Sequence, residues 1–282
     1  MFAPQTVDLN ELKLNVAVGP AAGDPLILLH GVSRSSRDFA PLFPALMARW
    51  QVFAVDQRGH GQSGRATSYL VRDYATDITK MLHARKESQP AVIYGHSLGA
   101  LVAVCVAARC PESVRAIILE DPPTPSMIAL IKQTPFFATF AAMQKVAGSQ
   151  LPVSEIARQL ADVRLPTATG EVRLGDLRDG VSLRLVARCL KDVDPAVYDS
   201  LLAGRWLEGV EWVEMLRAVR CPVLLLAADE KAGGMLNRAA VEEMQQHVAD
   251  IITLPHPGIG HLIHWQATET CLRHVLGFLE SL

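Results

Sequence analysis

Gly95-His96-Ser97-Leu98-Gly99 directly follows the apolar run Ala91-Val92-Ile93-Tyr94 and directly precedes a second apolar stretch with helical spacing, Leu98 to Arg109. A serine between glycines at a sharp strand-to-helix turn stands above the sheet edge, at the positive end of the following helix. Side chains in place of the flanking glycines would collide in so tight a turn. A serine hydroxyl is a poor nucleophile until a base takes its proton. Of the nine histidines, His261 is the best placed for that task. It ends Pro257-Gly258-Ile259-Gly260-His261, a loop after the last apolar run and before the terminal helix, where glycine on both sides of Ile259 lets an imidazole swing over the sheet edge. His256 and His264 share the loop, and His264 falls where the helix would begin. His30-Gly31-Val32-Ser33 ends the first parallel strand. A loop there can donate one backbone N–H to an oxyanion and the residue after the nucleophile the other, which makes Val32 and Leu98 the expected pair. This constellation fits acyl transfer through a covalent serine intermediate.

These residues need a sheet with its loops gathered at one edge. Between Val7 and Val18 the apolar residues Val7, Leu9, Leu12, Leu14, Val16 and Val18 surround Asn10-Glu11, the pattern of an antiparallel hairpin. Six buried-strand candidates follow: Leu26 to Leu29, Val52 to Val55, Ala91 to Tyr94, Ala116 to Leu119, Val223 to Leu226 and Ile251 to Leu254, for eight strands in all. Helices are expected near Asp38 to Arg49, Asp73 to Arg85, Leu98 to Arg109, Arg238 to Val248 and Glu269 to Leu279. Strand and helix in alternation specify an α/β fold, a mostly parallel sheet with helices on both faces. The rhythm breaks between Pro122-Pro123 and Cys221-Pro222, where no strand run is evident and helical patterns appear at Met127 to Val146, Val153 to Leu160 and Leu183 to Lys191. The expectation is a core domain of residues 1–121 and 221–282 carrying an inserted helical cap, 122–220.

Composition narrows the partners. The chain has 282 residues, half of them in the apolar set, with 27 basic and 29 acidic side chains. Such a length buries roughly three quarters of its unfolded surface without a disulfide or metal staple. No basic field exists for phosphates, so nucleic acid is not expected as a partner. Five cysteines, an odd number without C-x-x-C spacing, suggest neither a disulfide framework nor a zinc site. No apolar run approaches the roughly 20 residues that span a bilayer, and no signal peptide is visible after Met1. A cytoplasmic location is expected; oligomeric state is not legible.

His30-Gly31, Asp56-Gln57-Arg58-Gly59-His60-Gly61-Gln62-Ser63, Gly95 to Gly99 and Gly260-His261, taken in order along nearly the whole chain, resemble the serine-nucleophile α/β-hydrolase superfamily. That resemblance implies an eight-stranded α/β-hydrolase sheet, a Ser-acid-His triad in chain order and no cofactor. It gives the Asp56 to Ser63 segment a structural role as a glycine-rich turn. It places the triad acid after the seventh strand, where Asp229 follows Leu224 to Ala228. The common Gly-x-x-Asp spacing is not kept, since its glycine position is Ala228 and its aspartate position is Lys231. Glu230 is one alternative; Glu120 or Asp121 at the end of the sixth strand is another, and at most one of that pair can reach the histidine because neighbouring strand residues face opposite ways. Ser97 disfavours the haloalkane dehalogenase and epoxide hydrolase reactions, which resemble this outline but use an aspartate elbow. The expected activity is hydrolysis of a small-molecule carboxylic ester or lactone, apolar or aromatic if some of Met127, Leu130, Ile131, Phe136, Phe137, Phe140 and Met143 face the cleft rather than pack the cap. Amide, carbamate or C–C hydrolysis on the same triad, or ligand reception with little turnover, are the alternatives.

Overall fold

The computed structural model describes residues 2–21, 23–85, 89–167 and 170–282. Its strands are β1 (Ala3–Asp8), β2 (Lys13–Val18), β3 (Pro25–Leu29), β4 (Gln51–Val55), β5 (Ala91–His96), β6 (Val114–Glu120), β7 (Arg164–Thr167), β8 (Gly170–Arg173), β9 (Val223–Ala228) and β10 (Ile251–His256). The helices are α1 (Phe43–Leu46), α2 (Val71–Ala84), α3 (Leu98–Arg109), α4 (Pro125–Ala129), α5 (Pro135–Val146), α6 (Val153–Ala161), α7 (Leu174–Leu177), α8 (Gly180–Leu190), α9 (Val197–Leu202), α10 (Trp212–Ala218), α11 (Arg238–His247), α12 (Ile263–Gln266) and α13 (Thr268–Glu280).

Eight strands form one sheet in the order β1-β2-β4-β3-β5-β6-β9-β10. All neighbours run parallel except β1 with β2 and β2 with β4. The first pair is the expected hairpin, with Val7 opposite Leu14 and Asp8 opposite Lys13. Period-two geometry splits each central strand between two apolar layers. Ile27, Leu29, Ile93, Ile117 and Leu225 face α2, α3, α10 and the inserted segment. Leu26, Leu28, Val92, Tyr94, Ile118 and Leu224 face Phe39, Leu46 and the Cys271, Val275 and Phe278 side of α13. Burial on both faces is why these strands read as unbroken apolar runs. Helix α3 is buried from Leu98 through Ala107, so it is apolar all round, as a central helix must be.

Three expectations change. The helix near Asp38 to Arg49 contracts to a 3-10 turn at Ser36–Phe39 and the four-residue α1, because Pro41 and Pro44 remove backbone donors that a continuous helix needs. For the same reason Met127 to Val146 is split, with Pro135 starting α5. The segment between β6 and β9 is not strand-free. It holds the antiparallel β7–β8 hairpin, Arg164 opposite Arg173 and Thr167 opposite Gly170. In β7 only Leu165 is buried, so no apolar alternation announces the strand. No helix among the described residues is long and apolar enough to cross a membrane.

Candidate active site

Ser97 lies between β5 and α3 at φ 53°, ψ −112°, a left-handed backbone that non-glycine residues adopt only where the surroundings enforce it. The enforcement is steric. A Cβ at position 95 would lie 2.1 Å from the Gly99 carbonyl oxygen, and one at position 99 would lie 1.9 Å from the Leu29 carbonyl oxygen. Only glycine permits α3 to start this close to β3 and β5. The Ser97 N–H donates to the Glu120 carbonyl at 2.9 Å, while the Leu98 N–H, in the first turn of α3, has no intrahelical acceptor.

The loop after β3 meets the elbow directly. A Cβ at Gly31 would be 2.8 Å from His96 Nδ1 and 3.2 Å from Ser97 Cβ, which brings Val32 beside the serine turn. Two neutral imidazoles brace this loop. His30 Nδ1 donates to the Gly31 carbonyl at 2.7 Å and its Nε2 accepts from the Gln57 N–H at 3.1 Å. His60 Nδ1 donates to the Arg58 carbonyl at 2.8 Å and its Nε2 accepts from the Ser33 N–H at 3.3 Å. Burial lowers the His30 pKa and, with the nearby His30, brings that of His60 down to about 3. Asp56 accepts from the Ser36 N–H, the Gln62 N–H and Asn15 Nδ2 at 2.6, 2.9 and 2.9 Å. Its segment ties loops together, as the structural reading of that turn supposed.

His261 Nδ1 donates to Asp121 Oδ2 at 2.6 Å. The expectation for Asp229 is therefore corrected. Its carboxylate accepts from the Lys231 and Gly258 N–H groups at 2.9 and 2.8 Å, so it caps the turn after β9 and anchors the histidine loop. These two bonds hold its pKa below the usual carboxylate range. Glu230 opens the same turn. Asp121 reaches the imidazole because it leaves β6 at φ 43°, and three further backbone donors fix its fully buried carboxylate: Met235, Leu236 and Ala228 at 2.8, 3.3 and 3.4 Å. Glu120 points the opposite way, as strand alternation requires. It accepts from Tyr94 Oη at 2.6 Å and from His264 Nδ1 at 2.7 Å.

His96, flanking Ser97, donates from Nε2 to the His261 carbonyl at 3.0 Å, and the two rings lie 4.6 Å apart. The elbow thus carries the backbone of His261. Burial lowers the His261 pKa against the opposing pull of Asp121, which leaves a neutral imidazole able to accept a proton near pH 7. Spacing gave no sign of the support from His96, since it depends on packing between distant loops.

Other features lie apart from this cluster. A groove of about 430 Å³ is lined by residues including Thr124, Trp212, Asn237 and Glu243, but by none of Ser97, Asp121 or His261. Among the described residues, His83, Cys110 and Glu112 place possible metal-ligating atoms within 4.8 Å of one another. They cluster where α3 ends at Cys110, about 20 Å along the helix from Ser97 at 1.5 Å per residue.

Comparison with known proteins agrees with this architecture. A family model described as alpha/beta hydrolase fold matches residues 24–170. The chain is 27% identical to 2-(acetamidomethylene)succinate hydrolase of Mesorhizobium japonicum over 99% of this chain and 96% of that one. It is 26% identical to the sn-1-specific diacylglycerol lipase ABHD11 of Xenopus laevis over 96% and 84% of the two chains. Among solved structures, E-2-(acetamidomethylene)succinate hydrolase superposes with a TM-score of 0.74 at 25% identity, covering 99% of this chain and all of that one. Both of these relatives are named as hydrolases, the eight-stranded, mostly parallel sheet matches the sequence expectation, and the family model spans more than half of the chain: this protein belongs to the alpha/beta hydrolase fold family.

Proposed function

We propose that the chain is a serine hydrolase with the triad Ser97–His261–Asp121. Ser97 Oγ attacks the acyl carbonyl while His261 Nε2 takes its proton, and the same proton passes to the leaving group as the tetrahedral intermediate collapses. Water, deprotonated by His261, then releases the acid and restores Ser97. Asp121 holds the tautomer with Nδ1 protonated and stabilises the transient imidazolium. The Val32 and Leu98 N–H groups receive the oxyanion. The single observation that carries this reading is the 2.6 Å bond from His261 Nδ1 to Asp121, made by a histidine whose backbone is tied to the residue beside Ser97.

The substrate class proposed first is a small-molecule ester or lactone, and the triad itself asks for no cofactor. Residues 122–220 act as its cap. Supporting this, Tyr198 Oη and Met143 Sδ from the segment lie 2.6 and 3.3 Å from Ser33 Oγ in the loop that carries Val32. Ile131, Phe140, Trp206 and Trp212 are buried, which favours packing over substrate contact for them. An amide is the second reading, favoured by the 27% identity, over nearly the whole chain, to a hydrolase whose named substrate carries an acetamido group. Five free cysteines suit a reducing compartment such as the cytoplasm. Treatment with a fluorophosphonate followed by mass spectrometry should place the label on Ser97, and a panel of aryl esters, lactones and amides should rank the leaving groups. Active protein that takes no label at Ser97 would overturn the mechanism.

A further inference from the structure

Beneath the elbow three buried polar atoms converge without any hydrogen bond to the described residues: Asp38 Oδ2, His96 Nδ1 and His264 Nε2. Their side chains are 2%, 2% and 0% exposed. Asp38 Oδ2 is 3.6 Å from His96 Nδ1 and 3.6 Å from His264 Nε2, too far for direct bonds but within the span that one water bridges. The opposite edge of each ring is committed. His96 Nε2 donates to the His261 carbonyl and His264 Nδ1 to Glu120. His96 in that tautomer turns a lone pair toward the Asp38 carboxylate, and two acceptors repel unless a donor stands between them.

We propose that Asp38, His96 and His264 bind one water molecule, and that through it they act as positioning residues for Ser97 and His261. The water donates one hydrogen to Asp38 Oδ2 and the other to His96 Nδ1, and accepts one from His264 Nε2–H. Three bonds to otherwise unmatched buried groups is the usual complement of an internal water. Proton counting agrees: burial opposes charge on His264, but Glu120 and Asp38 outweigh it and raise its pKa to about 9, so both its nitrogens carry hydrogens. Phe39 stacks on the His264 ring at 5.0 Å and keeps it in register. The route to the proposed base is then Asp38, water, His96 and the His261 carbonyl, with the elbow at its centre. The positioning role rests on Ser97 and His261 forming the reactive pair.

A crystal structure at about 1.8 Å should show a density peak within about 2.6–3.2 Å of all three atoms. No peak, with the side chains closed into direct contact, overturns the water site, as does a peak at about 2.0–2.2 Å, which would be a metal ion. For the positioning role, Asp38→Ala should lower kcat at least tenfold with KM within about twofold, slow fluorophosphonate labelling of Ser97 in parallel, and be largely rescued by Asp38→Asn, which keeps an acceptor for the water. His96→Gln, scored only if it keeps wild-type circular dichroism, is the second variant and should show the same split. A fall in Tm with kcat and labelling unchanged makes the network merely structural and overturns the role. Ser97→Ala separates the premise from the inference: if it retains turnover or labelling, the triad reading fails whatever Asp38 does.

Discussion

Asp121 meets two demands at once, a left-handed backbone at φ 43° and a carboxylate shared between His261 and three backbone N–H donors. Asp121→Asn retains the shape but favours the wrong imidazole tautomer, and kcat should fall by about 10³–10⁴. Asp229→Asn, which touches only backbone N–H groups, should cost less than tenfold. Equal losses in steady-state assays of the two variants would remove Asp121 from the proposed triad. The His261 pKa lies below its ordinary value of about 6.5, burial being the largest cause. A plot of kcat/KM against pH should therefore be flat above neutrality and fall only below about pH 6.5, as the base protonates. A limb centred above pH 7 would mean that the Asp121 bond outweighs burial. The proposed nucleophile Ser97 and base His261 stood out in the sequence because glycines mark both positions locally. The acid was not, since Glu120 pairs with Leu226 across β6 and β9, which places Asp121 and Asp229 near the ends of adjacent strands. Which of them turns toward the ring is a matter of one backbone dihedral and carries no sequence signature.

Elements make the elbow possible through close approach, and that approach can be measured. Gly99→Ala would force a methyl to within 1.9 Å of the Leu29 carbonyl, a backbone atom that cannot yield without moving β3, and should cost about 3 kcal/mol or more. Gly180 is the counterexample: a Cβ there meets nothing within 4 Å, and it begins α8. Gly180→Ala should stabilise by about 0.4–1 kcal/mol through the unfolded chain. Urea unfolding of both variants tests the contrast, and a neutral Gly99→Ala would mean that α3 can slide on β3. Strands β3, β5 and β9 and nearly all of α3 could be read from sequence because each is buried and so carries an unmixed apolar run. The β7–β8 hairpin and the helices α9 and α10 could not, because the hairpin strand β7 buries only Leu165 and the two helices, six and seven residues long, are too short for a helical repeat to show.

Across the whole molecule, stability should peak between about pH 7 and 7.5, because several histidines whose values are lowered in the fold oppose one whose value is raised. His30, His60 and His261 are neutral in the fold, with pKa values lowered chiefly by burial. The unfolded chain binds protons there first, so their contribution is present above about pH 6.5 and is lost as pH falls. Glu120, whose pKa is brought down to about 2 because His264 and its other partners outweigh the cost of burial, adds to that loss below about pH 4. His264 has the reverse sign. Its pKa in the fold is about 9 against about 6.5 unfolded, so its stabilisation is complete below pH 6.5 and is lost as pH rises toward 9. Between these values the folded state holds about one proton more, a slope near −1.4 kcal/mol per pH unit and a total on the order of 3 kcal/mol. The window from about pH 7.5 to 8 is where this group dominates: the other histidines have by then lost most of their protons in the unfolded chain as well, and the buried thiols, raised to about 11 at Cys105 and Cys221, add a loss of the same sign only as pH nears their unfolded value of about 8.5. Urea midpoints taken at closely spaced pH values should fall steadily across that window at constant m-value. A level profile from about pH 7.5 to 8 would show that His264 is neutral between Glu120 and Asp38, and that the fold holds two buried carboxylates without an imidazolium between them.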